Sequence, residues 1–313
     1  MPTTIQAALL GVVQGLTEFL PVSSSAHLIL ARAFFGVDVE RFGLPFDVAC
    51  HVGTLVAVLV YFRREVAQMI ASLPRILRPG PAAAYAHCAP ASHAEAKRRR
   101  EAGRHENGRG PAQAGRYLEH GRHEENNAAR LVWLLVIGTV PAVIVGLLFD
   151  KTIEEHLRAP LVAAVTLALG AVGFFVAERV GRKTRSDGSL TMAEAFWLGC
   201  AQALALVPGV SRSGVTITVA LLFGLRRADA ARFIFLLAIP AILAAAASEG
   251  VKVLAAGPSA DATTLFVIGI VSSAIVGYLA VRFCVRYFAT HSLDVFAWYR
   301  LALAGAVVVW ALR

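Results

Sequence analysis

Charge is sparse in these 313 residues: Asp, Glu, Lys and Arg make up 16% and hydrophobic residues 57%, against roughly 25% and 45–50% in an ordinary soluble domain. That deficit excludes a typical water-soluble chain and points to lipid as the solvent. Cysteine is sparse too. Cys50, Cys88, Cys200 and Cys284 lie far apart with no C-x-x-C pair, which argues against a disulfide scaffold or a zinc site and leaves them as packing residues. The start of the chain lacks a basic n-region and a small-residue cleavage site, so its first apolar segment is expected to stay in the mature protein. Glycine and proline, by contrast, are plentiful. The 26 Gly and 13 Pro are scattered through apolar stretches, a distribution that transmembrane helices tolerate.

Five charge-poor stretches have the length of membrane helices, at about 46–62, 131–149, 159–178, 233–248 and 264–281; a sixth, 296–312, carries one charge, Arg300. Residues 131–149 hold no charge and would cover ~28 Å at 1.5 Å per residue, close to the hydrocarbon thickness. Two more apolar regions are interrupted. Residues 5–20 run into Pro21-Val-Ser-Ser-Ser25, and residues 193–207 into Pro208-Gly-Val-Ser-Arg-Ser-Gly214. Each reads as two half-helices around a polar tip, over 5–35 and 193–224. Non-helical backbone at membrane depth survives only when buried in protein or lining a cavity, so such breaks normally mark sites.

The chain also repeats itself. Leu10-Gly-x-x-Gln14 recurs as Leu198-Gly-x-x-Gln202, and residues 136–146 match 267–277 at 7 of 11 positions. A first repeat over 1–185 and a second over 190–313 thus each hold one broken segment followed by three spans. If the broken segments turn back, nine Lys/Arg of the short loops face the cytoplasm and six the other side; if they cross, the counts reverse. The positive-inside tendency favours turning back. The expected fold is an all-α integral membrane protein of two inverted repeats, each a re-entrant hairpin plus three transmembrane helices, with both termini outside.

Between the first and second spans lies a polar insertion at 79–130, rich in Ala, Gly, Arg, His and Glu and without apolar periodicity, which is expected to be a disordered cytoplasmic loop. Its Lys97-Arg-Arg-Arg100 run suits anionic headgroups, and its scattered histidines suit a metal, but a solvated linker explains both. The net charge of +9 is mostly local: 13 basic and 7 acidic residues over 63–130 give +6. Nucleic acid is therefore a poor match.

The two tips carry the chemistry. In Gln14-Gly-Leu-Thr-Glu18-Phe-Leu-Pro-Val-Ser23-Ser24-Ser25-Ala-His27, Gln14 and Glu18 are four apart and share a helix face. A carboxylate within an apolar helix needs a partner, a cavity or an ion. The serines after Pro21 are natural N-caps, and His27 lies about one turn beyond Ser24. In Pro208-Gly-Val-Ser211-Arg212-Ser213-Gly214-Val-Thr216, Arg212 brings five donors to a helix start rich in free amides. That is an anion site, and phosphate fits it best. Asp47, His51, Glu178 and Arg300 sit near the ends of their spans, where interfacial solvation or snorkelling suffices, and are left outside the site.

Those two motifs, in that order, resemble the paired signatures of the undecaprenyl-diphosphate phosphatases, also called bacitracin-resistance proteins, over nearly all of the chain apart from the insertion. The resemblance implies an inner-membrane enzyme that removes one phosphate from undecaprenyl diphosphate, recycles the lipid carrier for peptidoglycan synthesis and requires a divalent cation, Mg²⁺ or Ca²⁺. Glu18 and Gln14 fall on the family's (Glu/Gln)-x-x-x-Glu pair, with a neutral amide at 14 weakening that position as an anionic metal ligand. Ser24 and His27 fall on its Ser and His; Ser211, Arg212, Ser213 and Thr216 lie in its Arg motif. The roles implied are catalysis for Glu18, Ser24, His27 and Arg212, diphosphate binding for Gln14, Ser211, Arg212, Ser213 and Thr216, and metal ligation for Glu18 and Gln14. Ser24 is then the nucleophile with His27 as base or acid, or a water held by Glu18 or His27 attacks directly. Because inverted repeats with re-entrant hairpins are also transporter architecture, a polyprenyl-phosphate flippase is the competing reading. The partners implied are the polyprenyl diphosphate lipid and the membrane, and a homodimer is compatible with the spans.

Overall fold

Where apolar sequence runs on without a Pro-Gly or Pro-Val-Ser break, it forms long helices. The computed structural model describes residues 2–38, 41–77, 112–157 and 159–312. In chain order its helices are α1 (Thr3–Phe19), α2 (Ser24–Phe35), α3 (Leu44–Tyr61), α4 (Arg63–Leu77), α5 (Ala112–His156), α6 (Pro160–Val180), a 3₁₀ turn at Asp187–Ser189, α7 (Met192–Leu204), α8 (Arg212–Leu222), α9 (Arg227–Ala256), α10 (Ala260–Thr290) and α11 (Asp294–Ala311). Among the described residues the β structure is one isolated bridge, Arg185 to Leu225. Among the described residues, six helices are long and apolar enough to cross a membrane: Leu44–Tyr61, Asn126–Phe149, Pro160–Val180, Arg227–Val253, Ala260–Thr290 and Asp294–Ala311. The chain is an all-α, multi-pass membrane protein. Large apolar side chains such as Leu147, Leu169 and Ile275 are exposed on these helices, as lipid-facing surface requires.

The six crossing helices overlie the six expected spans. The structure differs next to the third helix. Residues 63–77 form α4, and α5 starts at Ala112, so the 112–130 part of the expected disordered loop is helical and continuous with the span; residues 78–111 lie outside the described residues. Helix α4 packs on α5 and buries Met69 and Ser72, three residues apart on one face. Arg130 then ties α5 down by donating to the carbonyls of Gly188 and Leu190.

Both broken segments form helix pairs, α1 with α2 and α7 with α8. Helix α7 starts at a capping box, in which Thr191 Oγ1 accepts the Glu194 amide (3.2 Å) and Glu194 accepts the Thr191 amide (2.8 Å). Arg185 holds the same carboxylate through two contacts of 2.6 and 3.0 Å.

The repeated motifs pack on each other crosswise. Helix α1 lies along α10, and α7 along α5. A Cβ on Gly11 would meet the Gly269 carbonyl, and a Cβ on Gly199 would meet the Gly138 carbonyl and the Pro141 ring. Gly11 and Gly199 are equivalent in the first sequence repeat, Gly138 and Gly269 in the second. Without a hydrophobic drive between helices in lipid, small residues that let backbones approach supply the association. Gly199→Ala should therefore destabilise the protein by about 1–3 kcal/mol, the range for overpacking a tight contact. Its thermal melt in detergent reads this as a lowered midpoint; an unchanged midpoint would mean that α5 and α7 part easily.

Candidate active site

The polar tips are shaped by their caps. Ser23 and Ser211, the N-caps of α2 and α8, both take positive φ, 75° and 69°, a conformation costing of order 1–3 kcal/mol for a residue with a side chain. Each repays it locally in the same way. Ser23 Oγ faces the Ala26 amide (3.5 Å) and Ser25 Oγ (3.2 Å). Ser211 Oγ accepts the Gly214 amide (3.1 Å) and faces Ser213 Oγ (3.3 Å). Ser24 and Arg212 consequently occupy equivalent places, each the first residue of its helix.

The tips touch. The Gly209 amide donates to Ser25 Oγ (3.4 Å), and Ser213 Oγ donates to the carbonyls of Glu18 (3.4 Å) and Leu20 (3.3 Å). Between them lies Glu18, 6% exposed. Its Oε2 accepts from Gln14 Nε2 and from Ser24 Oγ, both at 2.8 Å, and faces His51 Nε2 at 3.4 Å. Its Oε1 pairs with Arg212. One carboxylate thus gathers groups from α1, α2, α3 and α8. Arg212 keeps part of its side chain exposed, so an anion has a route to it.

Of the residues predicted from sequence, Gln14, Glu18, Ser24 and Arg212 form one connected group. Ser211 and Ser213 build the tip under Arg212, and buried Thr216 donates back to the Arg212 carbonyl at 2.6 Å, stiffening the first turn of α8. His27 stands elsewhere. Its Nδ1–H donates to the Ser23 carbonyl (2.7 Å), which leaves Nε2 to accept the Tyr299 hydroxyl (2.7 Å). The ring stacks on Tyr299 with centroids 5.7 Å apart, so both nitrogens are engaged away from Ser24. In this arrangement Ser24 is bonded to Glu18 instead.

Two residues left out on sequence grounds need correction. His51 is half-buried on α3, with Nδ1–H fixed by the Asp47 carbonyl (2.7 Å) and Nε2 turned toward Glu18. Arg300 does not snorkel: it is 0% exposed and donates to the carbonyls of Thr166, Leu167, Pro21, Gly209 and Val210. Its place in the interior of α11, clear of either helix end, was the available signal. Asp47 and Glu178 remain outside the group: Asp47 pairs with Arg32, and Glu178 with Arg227 and Lys183.

Among the described residues no three His, Cys, Asp or Glu side chains gather as a metal cluster. The acceptor beside Glu18 is Gln14 Oε1, buried and without a hydrogen-bond partner.

An undecaprenyl-diphosphatase of Rubrobacter xylanophilus is 45% identical over 303 residues, covering 97% of this chain and 96% of the relative. Similarly named proteins of Moorella thermoacetica and Trichlorobacter lovleyi are each 38% identical over 306 residues, with 96–98% of each chain covered. The family model described as bacitracin resistance protein BacA matches residues 7–89 and 111–306, both tips included. The chain belongs to the bacitracin resistance protein BacA family.

Proposed function

We propose that this protein is a membrane phosphatase that hydrolyses undecaprenyl diphosphate to the monophosphate and inorganic phosphate. Recycling the carrier for peptidoglycan synthesis, and with it bacitracin resistance, follows from that reaction. Family membership supports the substrate class, and the observation that carries the reading is Glu18 shared between Ser24 and Arg212 where the tips touch.

The chemistry follows from the contacts. The diphosphate draws Arg212 and the first amides of α8 to its oxygens, and the Glu18 carboxylate is freed as Arg212 turns to the new anion. Ser24 Oγ, already donating to Glu18, attacks the terminal phosphorus and passes its proton to that carboxylate; the phosphoanhydride bond breaks with undecaprenyl phosphate as leaving group. Water then attacks the phosphoserine; Glu18 returns its proton to the departing Ser24 Oγ, and the water's own proton leaves with the inorganic phosphate. Glu18 is the base in this reading, and His27, held by Ser23 and Tyr299, positions the start of α2.

A divalent cation fits the acceptors present, since hard cations take oxygen ligands and Mg²⁺ is typically held by one or two carboxylates plus substrate phosphates. Glu18 and the unpartnered Gln14 Oε1 would hold it, and when bound it would neutralise diphosphate charge.

The tips are read as re-entrant hairpins of an inverted repeat. Three of their four helices, with 12, 13 and 11 residues, fall below the roughly 17–25 a crossing needs, and the crosswise pairing of α1 with α10 and α7 with α5 supports exchange symmetry. On this reading the protein lies in the inner membrane with both termini periplasmic and the site opening to the periplasm.

Phosphate release from a polyprenyl diphosphate by purified protein in detergent tests the function, and Ser24→Ala tests the route. Wild type should turn over, and Ser24→Ala should lose at least ~10³ in kcat with little change in KM, since the nucleophile acts only in the chemical step. Retention of most activity would replace the covalent route by direct attack of water. No turnover, with labelled lipid crossing proteoliposomes, would replace the phosphatase by a lipid carrier.

A further inference from the structure

A guanidinium sealed in the interior without a carboxylate is costly, because removing a charge from water is repaid only by a full set of hydrogen bonds. Arg300 has that set. Nε donates to the Leu167 carbonyl (3.1 Å); Nη1 to Pro21 (3.3 Å) and Val210 (3.2 Å); Nη2 to Thr166 (3.1 Å), Gly209 (3.0 Å) and Val210 (3.2 Å). The space is made for it. A Cβ on Gly170 would overlap the guanidinium, one on Gly214 would lie 2.9 Å from Nη1, and the Phe174 ring covers it with its centroid 5.1 Å from Cζ.

What the five carbonyls belong to is the informative part. Thr166 and Leu167 are on α6, Pro21 is in the first break, and Gly209 and Val210 are in the second. Helix breaks leave carbonyls unpaired at a depth where water is scarce, and each needs a donor. One side chain satisfies both breaks at once. Pro21 lies just before Ser24 in the chain, and Gly209 and Val210 just before Arg212, so the atoms that Arg300 grips carry the nucleophile on one side and the phosphate clamp on the other.

We infer that Arg300 is a positioning residue for the reaction: it ties the two tips together and sets the spacing between Ser24 and Arg212. It touches neither substrate nor reacting atoms. This role rests on the phosphatase reading, whereas the tie itself stands on the geometry alone. Lysine cannot reproduce it, having one nitrogen in place of a planar fork with five donors.

Two measurements on detergent-purified protein test it together. In hydrogen–deuterium exchange, Arg300→Met and Gly170→Ala, which keeps the arginine but crowds it, should both speed exchange at 20–27 and at 206–214 with little change along α10. In phosphate release per mole of monodisperse protein, both should lose roughly 10²-fold in kcat, the scale of a misplacement of about 1 Å, with KM moved less than about threefold; Arg300→Lys should stay at least about tenfold below wild type. Exchange unchanged at either tip, or wild-type kcat per folded molecule in both Arg300→Met and Gly170→Ala, overturns the inference. Failure of the phosphatase reading shows separately, as absence of phosphate release by the wild type, with the exchange arm still deciding whether the tie exists.

Discussion

Arg212→Ala is expected to lower kcat/KM for phosphate release by roughly 10³-fold or more, the range found when an arginine that stabilises a transferring phosphoryl group is removed. Arg212 starts α8, where free amides point the same way and Ser211 and Thr216 fix the turn. The alanine variant keeps those amides but loses the guanidinium that answers the charge on the equatorial oxygens, so both KM and kcat should suffer. Arg212→Lys should recover only part, because a point charge replaces a bidentate fork. Wild-type kcat/KM in Arg212→Ala would show that the second tip does not bind the diphosphate.

Glu18→Gln should cost about as much but show a different split. The substitution keeps the size of the side chain and the ability to bond Gln14 and Ser24, and removes the charge that accepts the Ser24 proton. General-base groups contribute typically 10²–10⁴-fold, so kcat should fall by about 10³ while KM moves little. Glu18→Ala adds a second penalty, since it strands Arg212 and opens a hole among Gln14, Ser24 and His51; its melting midpoint should fall below that of Glu18→Gln. If Glu18→Gln retained full kcat, the proton acceptor would have to be another group, and His51, 3.4 Å from the same carboxylate oxygen, is the nearest candidate.

Much of this site is legible in the sequence because its signals are rare in lipid. A carboxylate within apolar helix, an arginine beside a Pro-Gly break and serines at cap positions each conflict with the solvent, and such conflicts gather where function demands them. Gln14, Glu18, Ser24 and Arg212 were found that way, and the structure brings them together. Charge-poor apolar runs likewise locate the six long apolar helices, because span length is set by the bilayer. The misses have a common origin. His51 and Arg300 were judged by distance along the chain from a span end, whereas their surroundings are set by which helix face packs inward. Neither the contact of His51 with Glu18 nor the carbonyls around Arg300 leaves a local pattern, since the partners come from other helices. The same holds for His27: its spacing from Ser24 suggests a shared pocket, but Tyr299, far along the chain, takes its Nε2. For the start of α5, a polar composition over 79–130 was read as absence of order, although packing of α5 against α4 is enough to hold a helix there.

On the proposed mechanism the first tip and the second act as one catalytic unit, and a double-mutant cycle on kcat/KM over wild type, Glu18→Gln, Arg212→Ala and the double variant measures their coupling directly. Groups that work as a unit are strongly non-additive. The double variant is therefore predicted to fall no more than about tenfold below the worse single variant, leaving a coupling of roughly 10²-fold or more. A double variant that loses the full product of the two single effects would mean that Glu18 and Arg212 act independently, and the shared site would be contradicted.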